Sequence, residues 1–149
     1  MAVWQISFFL VNEKKALYYS DQIFLDSLKE LEKTFPEEKS WCESLKQYGK
    51  IDSTCIEIDL CNDEIKDDIV LRIDLRSISR YQLQIICEFA NKNELFIKYG
   101  DKIYDTNIDN FIKIFEKSDA HQFLTDPKKY FEKISKYRGN NSRNTPKIE

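Results

Sequence analysis

The chain has 149 residues, 42% of them hydrophobic and 33% charged, with a formal net charge of −3. That length suits one domain whose own core needs neither disulfide nor metal support. No apolar run approaches the roughly 18 residues that cross a bilayer, which excludes a membrane-spanning helix, and no membrane partner is expected.

Taken in chain order, Trp4 to Val11 reads as a first strand, with Trp4, Ile6, Phe8 and Leu10 on one face and Gln5, Ser7 and Phe9 on the other. The preceding Met1-Ala2-Val3 carries no basic n-region or cleavage-site pattern, so no signal peptide and a cytoplasmic location are expected. Ser20 is the expected N-cap of a helix that buries Phe24, Leu28, Leu31 and Phe35 and stops at Pro36. Residues 37–50 are polar and punctuated by Trp41 and Gly49, and they read as irregular.

Two alternating runs follow, Cys55–Cys61 and 69–76. Ile56, Ile58, Leu60, Ile69, Leu71, Ile73 and Leu75 would face a core, while Glu57, Asp59, Arg72, Asp74 and Arg76 would form a charged stripe on the opposite face. The joining segment 62–68 is too short for anything but a hairpin, so the pair must be antiparallel. Ser79 and Gln82 make a capping box for a second helix burying Leu83, Ile86, Cys87 and Ala90. A fourth strand, 94–99, turns at Gly100-Asp101 into an edge hairpin with 102–104. Thr106 is expected to cap a helix carrying Phe111, Ile114 and Phe115. Asp126-Pro127 opens a last helix whose buried side would use Tyr130, Phe131 and Ile134.

The order β-α-β-β-α-β plus C-terminal helices predicts an α+β domain with a mostly antiparallel sheet and helices on one face. Its core would be ferredoxin-like, a split βαβ unit. Residues 1–137 would form that single domain and 138–149 a flexible basic tail rich in Asn. Residues 133–149 carry five bases and one acid, which leaves 18 basic and 25 acidic groups, or −7, on residues 1–132. An acidic body is repelled by nucleic acid and attracted to basic proteins, so a nucleic-acid partner is disfavoured.

The chemistry-bearing residues fall into four sets. The stripe of Glu57, Asp59, Arg72, Asp74 and Arg76 could do acid–base work, hold a carboxylate or phosphate through Arg, pair across strands, be covered by the C-terminal helices, or serve as a partner-binding surface. Asp63, Glu64, Asp67 and Asp68 crowd the hairpin connection; they lack the central Gly and distal Glu of a calcium loop and suit docking to a basic protein. His121 is the only histidine and has no nucleophile elbow to serve. Cys42, Cys55, Cys61 and Cys87 lack metal spacing and read as reduced structural thiols. Three scattered glycines cannot build a phosphate loop, and the 69–75 strand lacks the aromatics on which an RNA-recognition motif stacks bases. No cofactor, metal site or catalytic residue is therefore expected.

The segment Ser118-x-Ala120-x-x-Phe123-x-x-Asp126-Pro127-x-x-Tyr130-Phe131-x-x-Ile134, following the strand Leu71-Arg72-Ile73-Asp74-Leu75-Arg76, resembles small bacterial immunity proteins of polymorphic-toxin and contact-dependent inhibition systems. The likeness covers about a third of the chain. It implies a non-enzymatic cytoplasmic protein that binds and blocks one cognate toxin, often a basic nuclease. The alternative function for such a fold is a small-ligand-binding regulatory domain.

Overall fold

Period-two alternation gives a strand one apolar face to bury, and here the central strands share that burial within a single seven-stranded sheet. The computed structural model describes residues 2–14, 16–129 and 131–132, and for 66–68 the backbone alone. The elements are β1 (Gln5–Val11), α1 (Gln22–Glu32), β2 (Glu37–Glu38), β3 (Leu45–Tyr48), β4 (Cys55–Cys61), β5 (Glu64–Asp74), α2 (Arg80–Lys92), β6 (Phe96–Tyr99), β7 (Lys102–Tyr104), α3 (Ile108–Lys117) and α4 (Asp119–Thr125). They form an α+β fold whose sheet runs β2-β3-β4-β5-β1-β6-β7, each neighbouring pair antiparallel.

Register fixes which side chains share a face. Ile6, Phe8 and Leu10 stand opposite Ile73, Leu71 and Ile69, and Ile56 stands opposite Leu71. All are buried in one cluster with Phe24, Leu28 and Leu31 of α1, Leu83, Ile86 and Phe89 of α2, and Phe111, Ile114 and Phe115 of α3. The three longer helices therefore lie on the same side of the sheet. Phe8 is the aromatic hub, with its ring 5.3 Å from Phe111 and 5.4 Å from Tyr99.

Helix ends follow local chemistry. The Asp21 carboxylate accepts the Ile23 and Phe24 N–H groups, so Asp21 is the N-cap of α1, one residue beyond the expected Ser20. Ser20 instead ties to Asp63. The capping box of Ser79 and Gln82 forms as expected, and α2 also buries Phe89. Asn107 rather than Thr106 caps α3, because the Thr106 hydroxyl donates to the Leu95 carbonyl at 2.8 Å.

Further expectations need correction. Residues 37–50 are not wholly irregular: β2 and β3 lie there, because Leu45–Tyr48 finds its ladder on β4. The hairpin between β4 and β5 turns on Asn62 and Asp63 alone, with Cys61 opposite Glu64. Asp67 and Asp68 therefore belong to strand β5, and Arg76 lies beyond its end at Asp74. Trp4 leaves the core side to stack on Arg76, and the short helix α4 adds an element the periodicity did not announce. Pro127, Lys128 and Lys129 are helical, as the Asp126-Pro127 signal predicts. Phe131 is 55% exposed rather than buried, while Tyr130, Ile134 and the 138–149 tail lie outside the described residues.

Gly49 is a steric keystone for the strand connection. Its φ is +86°, its N–H donates to the Pro36 carbonyl, and a Cβ there would meet the Thr54 carbonyl oxygen at 2.3 Å. Gly100 also has positive φ, but a Cβ would meet nothing. Chemical denaturation should therefore show Gly49→Ala losing roughly 2–3 kcal/mol and Gly100→Ala only about 1 kcal/mol.

Candidate partner-binding surface

With α1, α2 and α3 on one face, the opposite face of the sheet holds the alternate residues. One row crosses five strands by register: Glu57, Val70, Phe9, Lys98 and Ile103. Phe9 and Ile103 are each 44% exposed, an apolar pair at the centre and edge of a sheet face. Period two assigned Phe9 to this face. What the sequence did not signal is its alignment with Val70 and Ile103, which only the register creates.

The predicted charged stripe resolves into separate pairs. Glu57 is buried and forms an ion pair with Arg72, its diagonal neighbour on β5. Asp74 is 2% exposed, and Arg76 holds it with three donors: the backbone N–H at 2.9 Å, Nε at 3.0 Å and an Nη at 2.9 Å. The same guanidinium lies 3.8 Å from the Trp4 ring centre, a cation–π contact. Burial alone would raise the Asp74 carboxyl, but the hydrogen bonds and charge of Arg76 outweigh it and hold the group below the usual carboxylate range. Asp59 stands opposite Leu45 and Lys66, past an irregularity in the β4–β5 ladder, and joins neither pair.

The acidic residues of the β4–β5 connection do not act as one cluster. Asp63 accepts the Ser20 N–H and hydroxyl, and its carbonyl accepts the Tyr19 N–H at 2.8 Å. Glu64 is exposed and bridges to Tyr18. For Asp67 and Asp68 only the backbone is described, within β5.

At the β1 end of the face, the loop before β4 folds inward. Gln5 donates to the Ile51 and Ser53 carbonyls at 3.0 and 2.6 Å, and Thr54 accepts the Asp74 N–H at 3.0 Å. His121 sits in the first turn of α4, where its N–H donates to the Ser118 hydroxyl. All four cysteines are free thiols, with Cys55 and Cys87 buried, Cys42 partly buried and Cys61 exposed. Burial pushes the Cys87 thiol up to about 11, whereas Ser44 hydrogen bonds lower that of Cys42. Among the described residues, no group of three or more His, Cys, Asp or Glu side chains is placed to hold a metal ion, and no helix is long and apolar enough to cross a membrane.

Comparison with known protein families, curated proteins and solved structures finds no match to this chain.

The pairing makes two expectations measurable. Arg72→Met strands a buried Glu57 carboxylate and should cost about 2 kcal/mol in urea unfolding, most of it recovered by adding Glu57→Gln. The depressed Asp74 pKa contributes stability that is fully present above the unfolded-state carboxylate value, about 3.9. That contribution is lost as pH falls through the lower folded value. Between pH 5 and pH 2, thermal melts of Asp74→Asn should therefore fall less steeply than those of the unmodified chain.

Proposed function

We propose that this protein is a non-catalytic binding module, most concretely an immunity protein that binds and neutralises a cognate bacterial toxin in the cytoplasm. The observation that carries the reading is the row Val70-Phe9-Lys98-Ile103, with Phe9 and Ile103 exposed on either side of Lys98, on the sheet face opposite α1, α2 and α3. An exposed apolar centre rimmed by polar groups is how docking surfaces are built, and a rigid aromatic there is a natural anchor. The charges beside it support binding over catalysis. Glu57–Arg72 and Asp74–Arg76 pair with one another, so these four charges are engaged in ion pairs rather than held ready for proton transfer.

The acidic body, −7 over residues 1–132, favours a basic partner and would speed its encounter. Four free thiols are in keeping with a reducing compartment. We further infer a ferredoxin-like, split βαβ core. The neighbouring strands β4-β5-β1-β6 and the helices α1, between β1 and β4, and α2, between β5 and β6, support it.

The test is capture of the partner from the native host, followed by titration of purified variants. Phe9→Glu and Ile103→Glu should each weaken the complex by tenfold or more while leaving the melting temperature within a few degrees. Charge reversal of Asp59 and Glu64 should slow association at low salt, with little change in dissociation. Unchanged affinity in Phe9→Glu and Ile103→Glu would remove the sheet face as the interface.

A further inference from the structure

β1 is paired unequally on its two sides. Its ladder with β5 is continuous from Gln5 to Leu10, but its ladder with β6 begins only at Phe9, opposite Lys98. The Trp4 carbonyl accepts the Leu75 N–H at 3.1 Å, so the even-numbered residues of β1 direct their backbone groups at β5. The odd-numbered ones face the other way. Phe9 and Val11 meet β6 there, while the Gln5 N–H is taken by the Ala2 carbonyl at 3.0 Å.

Between them, Ser7 has nothing. The residue that would stand opposite it, Gly100, has φ +62° and turns into the β6–β7 hairpin. No described residue bonds the Ser7 N–H or C=O on that side. In place of a strand there is a hollow of about 310 Å³, bounded by Gln5–Ser7, Tyr99 and residues 117–120 at the α3–α4 junction. Ser118 cannot fill the gap, because its hydroxyl donates to the Phe115 carbonyl and accepts the His121 N–H.

We propose that an extended segment of the protein partner adds to β1 at Ser7 and lies in this hollow. One donor and one acceptor of the same residue, pointing the same way from a strand, are half of a hydrogen-bonded antiparallel pair. Their complement is the N–H and C=O of another residue, which is the chemistry of a peptide backbone. The volume, roughly that of ten liquid waters, admits a short stretch of chain. Lys117 at its wall places a positive charge beside flanking side chains. This deepens the partner-binding reading and rests on it, adding strand addition to face docking.

The probe is a displayed library of random linear dodecapeptides selected on the full chain, with the most enriched peptide then added to isotope-labelled protein. In the free chain the Ser7 amide should exchange with solvent at least tenfold faster than those of Ile6 and Phe8, which bond to β5. The peptide should slow Ser7 exchange at least tenfold. Ser7→Pro removes the N–H without touching the β5 ladder and should weaken the peptide tenfold or more. If that variant fails to fold, the exchange readout on the unmodified chain still decides. A Ser7 amide already protected in the free chain overturns the proposal, as does an enriched peptide that leaves it unprotected, or no enrichment at all. A peptide that instead perturbs Phe9 and Ile103 sinks the Ser7 slot but keeps the sheet face as a docking surface.

Discussion

The alternation of β1 is the constraint on which the other elements depend. Ile6, Phe8 and Leu10 must be dry, and their partners across β5 are as apolar as they are, so the β1–β5 register cannot slip by one residue without turning both strands inside out. Once that register is set, the helices have one apolar surface to cover. Phe8 then joins the contributions of α3 and β6, touching Phe111, Phe115 and Tyr99. The opposite face is fixed by the same act: burying Phe8 and Leu10 obliges Phe9 to stand outside.

Electrostatics completes that outer face by pairing its buried charges. A carboxylate as buried as Glu57 or Asp74 survives only with a partner of opposite charge, and each has an arginine at hand. Both pairs are short-range, one diagonal across neighbouring strands and one between residues two apart in sequence. Their charges are therefore neutralised in place, and the row beside them exposes Phe9 and Ile103 on either side of Lys98.

Much of the fold was legible because its signals are local. A serine and a glutamine three apart satisfy each other's backbone partners wherever they occur, so the start of α2 could be read directly. Alternation in β4 and in the second half of β5 was equally plain. What stayed hidden depends on partners distant in sequence. Leu45-Lys46-Gln47-Tyr48 has no alternation to betray it; it is a strand because β4 offers a ladder beside it. Lys66, Asp67 and Asp68 look like a turn, yet β4 extends far enough to pair the chain from Glu64 onward. The charged stripe was named residue by residue, but who pairs with whom followed only from register. Alternation alone puts Phe9 on the outer face, while its alignment with Val70 and Ile103 takes three strand pairings to appear.

The same geometry links the two proposed contacts. Phe9 is the residue at which β1 passes from being paired on both sides to being paired on one, so the exposed aromatic and the Ser7 backbone, which no described residue bonds on that side, are neighbours on one strand. A partner side chain packed on Phe9 and a partner backbone bonded to Ser7 could belong to a single extended segment, since residues two apart on a strand share a face. Strand addition supplies directional hydrogen bonds that fix register, whereas the apolar row supplies area with little direction. Joined at one point, they would let a small, rigid sheet hold a partner in one orientation rather than merely adhere to it.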